Sequence, residues 1–179
     1  MLYFIIAAAV CALDQLVKLW VTLHVGEGGA VRLIPGIVHL TYLRNTGAAF
    51  SMFSSHTWVL ACVSVAAMGL LSWLLVRKNL PAGEKFAVAL VLGGAAGNGL
   101  DRIILHYVVD MFEVEFMRYA IFNVADICIN IGAILFCLLY IVRSLKEDRR
   151  RRLEKAAGGP PQAPASGGDA PSEKKDGEK

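Results

Sequence analysis

The stretch IFNVADICINIGAILFCLLYIV runs from Ile121 to Val142. From Cys128 onward it is almost wholly apolar, and the whole stretch reaches the roughly 20 residues an α-helix needs to cross the hydrocarbon core of a bilayer. Its first turns nevertheless carry Asn123, Asp126 and Asn130. Ionising a carboxylate in such surroundings is costly, so an acid placed there calls for a partner or a task.

The rest of the chain is of the same kind. Of its 179 residues 56% are hydrophobic, and the mean hydropathy is +0.53, too apolar for an ordinary water-soluble domain of this length. Four apolar segments are long enough to span: Met1 to about Val21, Trp58 to Val76, Phe86 to Leu105 and Phe122 to Val142. The first has no basic residues ahead of it, and Asp14, Gln15 and Lys18 follow where a leader peptidase would need small residues, so it is predicted to be an uncleaved span. Cys11, Cys62, Cys128 and Cys137 all lie inside apolar runs without a CxxC or metal-ligand spacing, which is the usage of small buried side chains. Neither a metal nor a cofactor is expected.

Basic residues set the predicted orientation. Arg77, Lys78 and Lys85 join spans two and three, and Arg143, Lys146 and Arg149 to Arg152 follow span four, so both ends and this link are expected in the cytoplasm. The outward segments are then 22–57 and 106–121. In the first, β-branched and aromatic residues alternate in part from Ile37 to Leu43 between Pro35-Gly36 and Gly47, the pattern of a short strand or hairpin on the membrane. The expected organisation is a membrane domain over 1–143 and a tail over 144–179. The tail is basic at first and, from Gly158, too rich in Gly, Pro, Ser and charge to fold. Its arginine run reads as a topology anchor on anionic lipid, not as a nucleic-acid site.

The polar residues of the spans gather at one predicted depth, near the outer face. Asp14 and Lys18 are four residues apart in span one and share a face. Asn98, Asp101 and Arg102 end span three on one face, and Asn123, Asp126 and Asn130 form a stripe at the start of span four. Gly93, Gly94, Gly97 and Gly99 would let another helix approach span three closely. Asp110, from the loop, would complete one polar pocket. Two carboxylates in a poorly solvated pocket share a proton: the ionised one can take a proton from water while the protonated one hydrogen-bonds a scissile carbonyl. Neutral asparagines can orient such a pair, and Arg102 supplies a fixed cation for a carbonyl or a lipid head group. Metalloprotease and serine-hydrolase motifs (HExxH, GxSxG) are absent from the sequence, and His24, His39, His56 and His106 share no motif. A transporter or proton-relay subunit is the competing class, but a relay would carry polar groups through the whole depth, whereas the inner halves of these spans are apolar. Asp14–Lys18 reads equally as a structural pair or a substrate contact, and Asn130 as a packing hydrogen bond.

Five ordered motifs now stand together: DQLVK (Asp14 to Lys18), NTGAAF (Asn45 to Phe50), GGAAGNGLDR (Gly93 to Arg102), VVD (Val108 to Asp110) and FNVAD (Phe122 to Asp126). With this order and topology, Met1 to Val142 closely resembles the bacterial lipoprotein signal peptidases, or signal peptidase II. The resemblance implies an integral, all-α, four-helix aspartic peptidase of the cytoplasmic (inner) membrane, with a small extracytoplasmic β-cradle between spans one and two. It implies cleavage of prolipoprotein signal peptides just before a diacylglyceryl-modified cysteine, and inhibition by globomycin in the same cleft. It further implies that Asp110 and Asp126 are catalytic and that Asn98, Arg102 and Asn123 support them. Asp14 and Asn45 would lie in the substrate pocket, and Asp101 would be structural. Two positions depart from the family pattern: Met111, where an aromatic is usual, and Ile127, where a serine commonly follows the acid.

Overall fold

The computed structural model describes residues 1–47, 57–77, 79–117 and 119–157. Ala48 to Phe50 of the NTGAAF motif, Lys78, Arg118 and the tail from Gly158 lie outside the described residues. The chain runs α1 (Leu2–His24), β1 (Ala30–Ile34), β2 (Val38–Asn45), α2 (Thr57–Arg77), α3 (Ala82–Ile104), β3 (Val108–Val114) and α4 (Val124–Ala156). All four helices are long and apolar enough to cross a membrane. By contact the chain falls into two units, Met1–Ile141 and Val142–Lys179.

In the first unit α3 is the central helix. More than half of its apolar window, 56%, is buried, against 11% for α2. Glycine makes this possible. A Cβ at Gly93 would come within 2.6 Å of the Ala7 carbonyl oxygen of α1, and one at Gly94 within 2.5 Å of the Ala125 carbonyl oxygen of α4. At Gly97 it would run into the Asp14 carboxylate. Without side chains at these positions the backbones of α1 and α4 pack directly on α3, the usual way helices associate where no hydrophobic drive acts between them. Many large apolar side chains of α2 and α4, among them Trp58, Leu70, Trp73, Ile134 and Leu138, point away from the bundle, as lipid-facing residues do.

Two segments, the α1–α2 link and the α3–α4 link, and not the first alone, build the β element. β1 pairs antiparallel with β2, and β2 pairs antiparallel with β3. The third strand, VVDMFEV, holds Asp110 where a loop is expected, and its apolar run does not alternate. Its first four residues are all buried, which explains the missing alternation. The ladder sets Asp110 opposite Leu43 and Val108 opposite Asn45, with a bulge between Leu40 and Leu43. Val21 of α1, Leu40 and Tyr42 of β2, and Val109 and Met111 of β3 form the core under the sheet. Met111 is fully buried there, where a flexible thioether can fill the space an aromatic would take. Ile127 is an exposed residue on α4.

The fourth helix also differs from expectation at its far end. The apolar span stops near Val142, yet the helix continues through the basic stretch to Ala156. Between Val142 and Gly158 no Gly or Pro interrupts it, the Arg, Lys, Glu and Leu residues there favour helix, and Arg150 Nε pairs with Glu154 Oε1 at 2.7 Å one turn on.

Candidate active site

The start of α4 brings the site together. Phe112 of β3 forms an isolated bridge with Phe122: Phe112 N donates to Phe122 O at 2.8 Å and Phe122 N to Phe112 O at 3.2 Å. Asp110 and Asn123 each lie within two residues of that bridge, so the returning chain carries them to each other. Asn123 then caps the helix. Its Oδ1 accepts the Asp126 backbone N–H at 2.9 Å, and Asp126 Oδ2 accepts the Asn123 backbone N–H at 3.2 Å. This reciprocal arrangement is a capping box, with the acid at the third helical position. A second donor of the same helix end, the Ala125 N–H, is taken by Asp14 Oδ1 of α1 at 2.9 Å. The acid inside the span therefore has a structural reason: helix N-termini favour anions.

Around this start lie two groups of carboxylates. In the first, Asp110 Oδ2 accepts from Asn45 Nδ2 at 2.8 Å, and Asp110 Oδ1 accepts from Asn123 Nδ2 at 2.7 Å. Asp126 Oδ1 accepts from Asn98 Nδ2 at 2.8 Å. Asp110 is 2% exposed, and Asp126 is half-buried. Among the described residues no cation lies within ion-pairing distance of either acid. Burial, the main cause, pushes the Asp110 carboxyl up from the ordinary 3.8 to about 6, the charge of Asp126 adds to the rise, and the Asn45 and Asn123 hydrogen bonds pull against it. The two acids open onto a cavity of about 220 Å³ whose wall also includes Asn45, Asn98, Arg102 and Asn123. Arg102 is held by Nη1 to the Asn98 carbonyl at 3.2 Å and by Nη2 to the Gly47 carbonyl at 3.3 Å. Its Nε is buried with no acceptor among the described residues.

In the second group, Lys18 Nζ stands 2.8 Å from both Asp14 Oδ2 and Asp101 Oδ2. The three side chains are 0 to 4% exposed. The remaining oxygens are occupied too: Asp101 Oδ1 accepts from Gln15 Nε2 at 2.8 Å, and Asp101 Oδ2 also accepts the Val109 N–H of β3 at 3.2 Å. This cluster ties α1, α3, β3 and α4 to one another. It lies behind the cavity wall, so Asp14 and Lys18, which the sequence placed among supporting and substrate contacts, do not line the cavity. Gln15, which also donates to the Gly97 carbonyl at 3.2 Å, has no role legible in the sequence because these partners lie more than 80 residues away. Asn130 is exposed and bonds back to the Asp126 carbonyl at 2.9 Å, one turn earlier on its own helix.

Comparisons with known proteins converge. The Peptidase_A8 family model, described as signal peptidase (SPase) II, matches residues 6–142. The lipoprotein signal peptidase of Streptococcus pyogenes serotype M2 (strain MGAS10270) is 41% identical over 128 residues, which is 71% of this chain and 84% of the relative. Two solved bacterial membrane enzymes, obtained by the in meso method, share the fold. One has a TM-score of 0.73 at 26% identity and covers 79% of this chain and 88% of its own. The other has a TM-score of 0.69 at 27% identity and covers 77% and 91%. With a family match over most of its length and a relative of this identity, the chain belongs to the signal peptidase II family.

Proposed function

We propose that this protein is a multi-pass bacterial membrane endopeptidase that removes signal peptides from lipoprotein precursors, with Asp110 and Asp126 as the reacting pair. The observation that carries this reading is that the two acids face one cavity while held by amide N–H groups alone. Such donors orient a carboxylate without supplying the full positive charge that would keep both acids ionised. The pair then holds one proton between two carboxylates. Asp110, pushed up to about 6 by burial, holds the proton, and Asp126, facing the same cavity, takes the part of the base. Asp126 takes a proton from a water as the oxygen attacks the scissile carbonyl, and the Asp110 carboxyl hydrogen-bonds the carbonyl oxygen. Collapse of the tetrahedral intermediate passes a proton to the departing amine and restores the shared proton. Arg102, in the cavity wall, offers its guanidinium to a backbone carbonyl of the substrate.

The substrate is a precursor whose cysteine already carries a diacylglyceryl group, cut just before that cysteine. The sheet β1–β2–β3 grips the lipid-bearing end, and globomycin-type inhibitors occupy the same cavity. Both termini face the cytoplasm, the cavity opens near the outer face, and the basic end of α4 contacts anionic lipid. The test is cleavage of lipidated and unlipidated precursor in proteoliposomes, with products read by mass spectrometry. A cut before the cysteine in the lipidated precursor alone is expected; equal cleavage of both would remove the lipid from the recognition. For orientation, a periplasmic reporter fused after Lys78 should be inactive, and an active one would invert the topology.

A further inference from the structure

Lys18 touches neither proposed reacting acid, yet one side chain separates it from Asp126. Its Nζ donates to Asn98 Oδ1 at 3.0 Å, and Asn98 Nδ2 donates to Asp126 Oδ1 at 2.8 Å. We propose that Lys18 is a positioning residue for the peptidase reaction, acting on Asp126 through the Asn98 side-chain amide. This inference rests on the Asp110–Asp126 reading.

An asparagine amide can present either end, and only its partners decide which. An ammonium has donors and no acceptor, so the end of Asn98 that faces Lys18 must be the oxygen. The nitrogen is thereby turned to Asp126. In the reversed orientation an N–H would face the ammonium and an oxygen would face the carboxylate, two repulsions in place of two bonds. Asn123 Nδ2 also donates to Asn98 Oδ1, at 3.0 Å, and its own orientation is fixed by the Asp126 backbone N–H on its oxygen. Asn98 is thus held by a neutral donor on one side and a charged one on the other. The charged contact strengthens the amide as a donor, because hydrogen bonds in series polarise one another in a poorly solvated interior.

Lys18 can do this because it is itself immobile. Asp14 and Asp101 hold it from two further sides at 2.8 Å, and it is 3% exposed. From there it delivers an oriented N–H to Asp126 without standing beside it as a counter-ion. A lysine in direct contact would hold the base ionised and blunt it; through an amide, orientation is transmitted and most of the charge is not.

The test is a double-mutant cycle with purified enzyme in proteoliposomes, comparing wild type, Lys18→Met, Asn98→Leu and the double variant by kcat and KM for a lipidated precursor. Lys18→Met is expected to lower kcat on the order of tenfold with KM within about twofold, since Lys18 lies behind the cavity wall. In the Asn98→Leu background the same change should have no further effect on kcat. An equal loss in both backgrounds, or a loss in KM alone, would overturn the inference. Should Lys18→Met not accumulate, Lys18→Gln takes its place: its amide N–H groups can bond Asp14 and Asp101, which turns its oxygen and not a donor toward Asn98, and the same outcomes decide. Asp126→Asn is assayed in parallel. If it still cleaves, the acid-pair reading fails; if it is inactive while the cycle is additive, only the role of Lys18 fails.

Discussion

Asp14 and Asp101 on one side, and Asp110 and Asp126 on the other, are two pairs of carboxylates built into one end of the same bundle. They differ in what stands between them. The first pair encloses an ammonium 2.8 Å from each acid, and its other oxygens serve backbone and amide donors of neighbouring elements. Among the described residues the second pair is reached by the amides of Asn45, Asn98 and Asn123 and by one backbone N–H. On the proposed reading, the carboxylates closed around a cation serve the fold, and those held by neutral donors do the chemistry. Burial alone would not separate the two, since Asp14, Asp101 and Asp110 are all nearly inaccessible.

The contrast can be broken most forcefully by removing charge from each pair in turn. Asp110→Asn is expected to lower single-turnover cleavage by about a thousandfold or more at normal protein level, the scale of a lost acid–base group. Adding Asp126→Asn should lower it no further, because residues that act as a unit are not additive; a multiplicative loss would mean that the two acids work independently. Asp14→Asn is expected instead to cost stability, about 3 kcal/mol, because it leaves a buried ion pair half-made. Thermal unfolding in detergent would register this, and an unchanged transition would show that the cation does not bind the fold together.

Stability against pH sharpens the same difference. Asp110 has a folded-state pKa of about 6, above its ordinary 3.8. An acid with a raised folded pKa contributes stability that is fully present below its unfolded value and is lost as pH rises through the folded value. Its window therefore runs from about pH 4 to pH 6, and above that the buried charge works against folding. Asp110→Asn should then be more stable than wild type at pH 7.5, by about 1 kcal/mol once the weakened amide contacts are counted, and no more stable at pH 4. A variant less stable at both pH values would contradict the account of a charge held without a counter-ion. The smallest effect is expected at the far end: truncation after Arg152 should leave cleavage within about twofold, because none of the residues assigned to the reaction lies beyond Asp126.

Much of this was legible in the sequence because the relevant spacings are helical. The pair Asp14–Lys18, the face of Asn98, Asp101 and Arg102, and the close-packing glycines of α3 can all be read within one or two turns. The N-x-x-D spacing of the capping box is equally local, although it first reads as a polar stripe. What was hidden depends on contacts across the chain. β3 lacks alternation because its opening residues are buried on both faces, and the role of Gln15 exists only once α1 meets α3. Likewise nothing near Lys18 in the sequence reveals that it faces Asn98, 80 residues on. That contact places a pair that reads equally as structural or substrate-binding behind the cavity wall.

The central claim is that the amide-held pair reacts and the lysine-held pair does not. Its most direct test is cleavage of a diacylglyceryl-modified precursor by Asp126→Asn and by Asp101→Asn, reconstituted side by side at equal amounts of folded enzyme. The account predicts no detectable product from Asp126→Asn and continued, slower cleavage by Asp101→Asn. Cleavage at the wild-type rate by Asp126→Asn would contradict it.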